Sequence, residues 1–211
     1  MSETFSGIEF NKQTTTAAEV MDAVANEGAV AVHDFLPLNH LQRASRVLAG
    51  ADWWTDSNQE SGEVHREHDL VRFGFSSDHP WPVASANAGY APEPIFTAAQ
   101  KISEYVGDAP DVPWHANEII GHRYNTGDYI DKHRDYVRAL GFVAVLTLEG
   151  AQDFFFERDN GDVARVDMQP GTLTIMRGYQ PNTEKPRPYH WVAPALERRL
   201  AISLRQMRIE W

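Results

Sequence analysis

Apolar positions in the first half of the chain recur at helical spacing. In "AAEVMDAVANE", residues 17–27, Ala17, Val20, Met21 and Val24 share one stripe. Three threonines precede them as capping groups, and Gly28 stops the run. "AVAVHDFL" follows as a short strand. A second helix, from about Asn39 to Leu48, aligns Leu41, Ala44, Val47 and Leu48 and ends at Gly50, where a left-handed cap is readily adopted. A third, "PIFTAAQKISEYVG", opens with Pro94 in a tolerated first-turn position and carries Ile95, Ala99, Ile102 and Val106 on one face.

From Asn117 the period becomes extended, with segments near 117–124, 142–149, 153–158, 163–168, 173–178, 187–193 and 199–207. Turn chemistry separates them: "DNG" at Asp159–Gly161, "QPG" at Gln169–Gly171 and "QPNTEKPRP" after Tyr179. Short strands without intervening helices predict an α+β, mainly β, fold: a sandwich or jelly roll flanked by the N-terminal helices, with a mouth able to hold a small ligand. Residues 52–90 mix Trp53, Trp54, Phe73, Phe75 and Trp81 with polar and turn residues, the composition of a lid or binding loop. The whole reads as one domain over 1–211: support in 1–51, a substrate lid in 52–90, and a helix plus catalytic core in 91–211.

Composition narrows the chemistry. The chain has no cysteine, which removes thiolate-bound zinc, iron-sulfur clusters and thiol nucleophiles, so any metal must be held by histidine and carboxylate. No apolar run reaches the roughly 18 residues of a membrane helix, and no signal-peptide pattern opens the chain, which makes the cytoplasm the expected location. A net charge of −11 argues against a broad electropositive face for nucleic acid. The lid is itself acidic, with seven carboxylates against Arg66 and Arg72.

"GDYIDKHRDY" places His133 and Asp135 two residues apart, and in extended chain such side chains project to the same face about 6 to 7 Å apart. His190, in "RPYHWVAP", is a candidate third ligand. Two histidines and one carboxylate on one face of an octahedral ion are the ligand set of non-haem Fe(II) oxygenases. The competing reading of the same residues is a solvated histidine beside a polar strand end. In "ERRLAISLRQM", alternation sends Leu200, Ile202 and Leu204 to one face and Arg199, Ala201, Ser203 and Arg205 to the other, so two arginines flank a slot of small residues. They could bracket a small dianion, or lie solvated on an outer face. Arg198 is the solvent-facing partner.

Taken together, "HRYNTGDYIDKHRDY", "RPYHWVAP" and "ERRLAISLR" resemble the AlkB-like branch of the Fe(II)/2-oxoglutarate dioxygenases. The likeness runs from Pro80-Trp81-Pro82 to Arg205 and is most specific from Tyr124 onward. It implies a double-stranded β-helix in which His133, Asp135 and His190 hold Fe(II). Arg199 would pair with the C5 carboxylate of 2-oxoglutarate, Tyr124 would donate its hydroxyl to it, and Arg205 would lie near its C1 end. O₂ is the implied second co-substrate, and succinate and CO₂ the implied by-products.

The match departs from the repair enzymes at three positions: His122 replaces an asparagine, Val137 an acidic residue, and Met176 an aromatic. These departures favour hydroxylation or oxidative demethylation of a small molecule or a side chain over demethylation of an alkylated nucleic-acid base. A metal-free jelly-roll binding module is the reading outside enzymology. Trp53, Trp54 and Tyr136 are candidates for stacking a substrate, and Arg72 and Arg138 for contacting an anion. The histidines of "HREHD", His65 and His68, read as solvated lid residues.

Overall fold

The computed structural model describes residues 4–55, 66–74, 89–109, 114–181 and 185–208. Phe75, Trp81, His65, the Pro80-Trp81-Pro82 stretch and much of the expected lid lie outside them.

The chain opens with β1 (Thr4–Ser6) and β2 (Glu9–Asn11), then α1 (Ala17–Glu27), β3 (Ala29–His33) and α2 (Leu38–Ala49). Thr16 caps α1: its hydroxyl accepts from the Glu19 N–H while the Glu19 carboxylate accepts from the Thr16 N–H, a reciprocal capping box. Gly28 ends α1 at φ +94°, a conformation that favours glycine. Gly50 differs from the expectation. Its φ is −90°, and α2 closes instead by tightening its last turn, with the Gly50 N–H donating to the Val47 carbonyl.

Next come β4 (Trp54–Thr55), β5 (Arg66–Glu67), β6 (Asp69–Gly74), β7 (Gly89–Tyr90) and α3 (Glu93–Gly107). The segment expected to be irregular therefore contains a six-residue strand, β6, paired antiparallel with β8 (Glu118–Tyr124). Charged residues beside Leu70, Val71 and Phe73 hide its alternation in the sequence.

The remaining strands are β9 (Tyr129–His133), β10 (Ala139–Glu149), β11 (Gln152–Glu157), β12 (Val163–Met168), β13 (Leu173–Arg177), β14 (His190–Val192) and β15 (Arg199–Met207). From β8 to β15 the chain builds two facing four-stranded antiparallel sheets, β13-β10-β15-β8 and β12-β11-β14-β9. This is a jelly roll, and its double winding removes most free edges. β3, β2, β6 and β4 extend the first, major sheet, while β1 and β5 extend the second, minor one.

Strand alternation divides the core in two. Leu146, Ile175, Ile202 and Leu204 face the three helices, where they pack with Val20, Leu41 and Ile102. Val143, Phe154, Val166 and Met176 face the space between the sheets. The site occupies that same space. Among the described residues, no helix is long and apolar enough to cross a membrane.

Candidate functional site

His133 ends β9 and pairs in register with His190, the first residue of the neighbouring β14. Their ring centroids lie 4.3 Å apart. Asp135 follows two residues after His133, and its Oδ2 sits 3.7 Å from His190 Nε2. One ligand atom from each of the three residues lies within 4.8 Å of the others, a span one ion can bridge, and all three side chains are buried.

The histidines are already set for coordination. His133 Nδ1 lies 2.7 Å from the Asp131 carbonyl and His190 Nδ1 lies 3.2 Å from the Pro188 carbonyl. A carbonyl oxygen only accepts, so each Nδ1 carries a proton, and in the neutral ring each Nε2 keeps a lone pair for a metal. Asp135 accepts from Arg205 Nη2 at 3.2 Å, and its main-chain carbonyl accepts from Arg187. These contacts hold the carboxylate beside the two rings.

Across the cavity, β8 and β15 of the major sheet contribute Tyr124 and Arg199 as direct cross-strand partners. Arg199 is 1% exposed, which places it inside the molecule and not on an outer face. Its Nη2 donates to Thr147 Oγ1 at 2.9 Å and approaches Met168 Sδ at 3.4 Å, and its guanidinium lies 5.2 Å from the Tyr124 ring centre. Among the described residues its Nε has no hydrogen-bond partner and its guanidinium forms no ion pair with a carboxylate. Burial pulls the guanidinium below its usual pKa range, opposed by the Tyr124 phenol. A buried cation with an idle N–H and no counter-charge is costly unless a ligand supplies the anion, and a guanidinium fork matches a carboxylate. The donor set therefore fits both a divalent metal and a carboxylate bound a short distance away.

The same inner face holds residues that sequence reasoning did not place. His68, for which the sequence predicts a solvated lid position, is instead 3% exposed. Its ring stacks on Tyr124 with centroids 4.7 Å apart and planes 6° from parallel, and its Nε2 lies 3.2 Å from His122 Nδ1. His122 Nε2 in turn meets Ser203 Oγ at 2.8 Å. The tyrosine ring is thus held between an imidazole and a guanidinium. The signal available in the sequence is parity: His68, just before β6, is two residues from Leu70, which pairs with His122 on the β8 face that also carries Tyr124.

Of the proposed substrate residues, Trp54, Arg72 and Tyr136 meet at an opening beside His133 and Arg205. Trp53 turns toward the helix-side core, with the Arg123 guanidinium 4.8 Å from its ring centre. Arg138 is exposed in the turn before β10. Val137 is also exposed, whereas Met176 is buried against the inner cavity.

No family model and no curated protein sequence matches the chain. Solved structures do. A 2OG-Fe(II) oxygenase family oxidoreductase from Burkholderia pseudomallei superimposes with a TM-score of 0.70 at 12% identity, covering 97% of each chain. A prolyl-4-hydroxylase from Pseudomonas putida gives 0.66 at 17% identity over 91% of this chain and 99% of its own. A Trichoplax adhaerens prolyl hydroxylase, solved with a hypoxia inducible factor peptide, gives 0.68 at 14% identity over 90% and 88%. The jelly roll that carries the His133, Asp135 and His190 cluster is the fold of the 2-oxoglutarate Fe(II) oxygenases.

Proposed function

We propose that the protein is an Fe(II)- and 2-oxoglutarate-dependent dioxygenase that hydroxylates or oxidatively demethylates a small molecule or a side chain, converting 2-oxoglutarate to succinate. One observation carries the reading: the His133, Asp135 and His190 cluster shares a cavity with a fully buried guanidinium, Arg199, that lacks a carboxylate partner among the described residues. A metal-free binding module has no use for that pairing.

In this reading Nε2 of His133, Nε2 of His190 and the Asp135 carboxylate hold Fe(II), and Arg199 binds the far carboxylate of 2-oxoglutarate. Tyr124 donates its hydroxyl to the co-substrate, and Arg205 stands at the metal end beside Asp135. Bound iron, with 2-oxoglutarate and O₂, supplies the oxidising power that no side chain has. The chain orients and encloses: Arg205 and Arg187 fix Asp135, while Val143, Phe154, Met176 and Val192 keep the cavity walls apolar. Demethylation of an alkylated nucleic-acid base is the less supported alternative. Val137 and Met176 lack the groups that repair enzymes present there, and the net charge of −11 opposes a polyanion.

The test is an anaerobic titration with Fe(II) and 2-oxoglutarate, following the weak visible charge-transfer band of the chelate. The band is expected in the wild-type protein and lost in His133→Ala and Arg199→Ala. Its absence from the wild type overturns the proposal and returns the jelly roll to a binding role.

A further inference from the structure

Among the described residues, the side chains lining the opening above His133 are basic or uncharged. The chain carries 30 acidic side chains against 19 basic ones. Yet the described residues that line this mouth include Arg72, Arg205, His68, His122 and His133, and among them none is Asp or Glu. Arg205 is already engaged by Asp135 at 3.2 Å and approaches Glu118 at 3.9 Å. Arg199 lies deeper and faces the inner cavity. Arg72 is therefore the guanidinium at the mouth with no carboxylate partner among the described residues. Its guanidinium lies over the Trp54 ring, 5.7 Å from the centroid.

Sheet register gives its position. Arg72 pairs with Ile120 and Ile120 with Ser203, so Arg72 stands two strands, about 10 Å, from the strand that carries both Arg199 and Arg205. Leu70 and Ile120 of that face, with Ile130 opposite, make an apolar wall running from Arg72 toward His133. The opening has a volume of about 150 Å³.

Resting on the oxygenase reading, we propose that this mouth takes a small substrate bearing one carboxylate, anchored on Arg72 and packed by its carbon skeleton along Leu70, Ile120 and Ile130, which brings a C–H bond over the metal side of His133. A guanidinium held on an aromatic face is suited to bidentate carboxylate recognition. The acidic protein around a locally basic mouth admits one such charge and disfavours a polyanion.

Calorimetric titration of the full chain, loaded with Mn(II) and 2-oxoglutarate, tests this with cyclopentanecarboxylate, 3-phenylpropanoate and N-acetylglycine, each against its own primary amide, and with phenyl phosphate. At least one acid is expected to bind ten-fold or more tightly than its amide, with the difference abolished in Arg72→Gln and partly kept in Arg72→Lys. The proposal is overturned if no acid binds, if acid and amide bind alike, if the preference survives Arg72→Gln, or if the phosphate binds better than every acid. The Fe(II) chelate band is read separately. A missing band with the acid preference intact overturns the oxygenase reading and leaves the anion site, whereas a normal band without the preference overturns the anion site alone.

Discussion

Arg199 is a single side chain that opposes stability and, in the proposed function, would serve binding. Its guanidinium is buried among Thr147, Met168 and Tyr124, with an Nε that no group satisfies. Replacing a buried charge with an apolar side chain of similar length is often neutral or stabilising. Arg199→Met is therefore expected to leave the ligand-free protein unchanged or up to about 2 kcal/mol more stable. On the proposed function, the same variant is expected to lose the stabilisation that 2-oxoglutarate would confer by binding the folded state. Chemical denaturation with and without 2-oxoglutarate measures both effects, and an Arg199→Met protein less stable by several kcal/mol without ligand would contradict the account.

At the scale of elements, the corner where β10 ends holds β15 in place. Glu149 accepts from Ser45 of α2 and from Arg198, the residue just before β15. Gly150, at φ +70°, lies so close that a Cβ there would stand 2.2 Å from the Arg198 carbonyl oxygen. Burial raises the Glu149 carboxyl, but hydrogen bonds from Ser45 and Arg198 and the Arg198 charge outweigh it and hold the group below the usual carboxylate range. A carboxylate with a depressed pKa stabilises the fold above its unfolded value and loses that contribution as pH falls through its folded one. Wild type is thus expected to exceed Glu149→Gln at pH 7 by less than about 1 kcal/mol, since the pair is partly solvent-screened. The gap should close in acid. Denaturation curves at neutral and acid pH check this, and a gap that does not change with pH would rule out the ionised carboxylate as its source.

For the whole molecule, the two sheets divide the work. The minor sheet and its β9 exit provide His133, Asp135 and His190, while the major sheet provides Tyr124 and Arg199. A co-substrate bound to the metal at one end and Arg199 at the other would tie the sheets together. Mn(II) and 2-oxoglutarate should then bind cooperatively, each raising affinity for the other about ten-fold, or about 1.4 kcal/mol of coupling. Thermal shifts with each alone and with both together measure it. Additive shifts would show that the two sites do not communicate.

Local pattern by itself determined the helices, the change from helical to extended period, and the two faces of β15. Each depends on residues a few positions apart, as with the Thr16 to Gly28 span of α1. Pattern fails where polarity masks a strand: β9 has two exposed residues, Asp131 and Lys132, just before His133, and its alternation does not show in the sequence. β6 was obscured in the same way. The HxD pair and the distal histidine were legible as residue types at a spacing, and their resemblance to a known pattern carried the rest. Only the tertiary structure decided that His133 lies opposite His190, that Arg199 points inward without a counter-charge, and that His68 is buried against Tyr124. The physical reason is that alternation tells which residues share a face, whereas long-range strand pairing decides what that face meets.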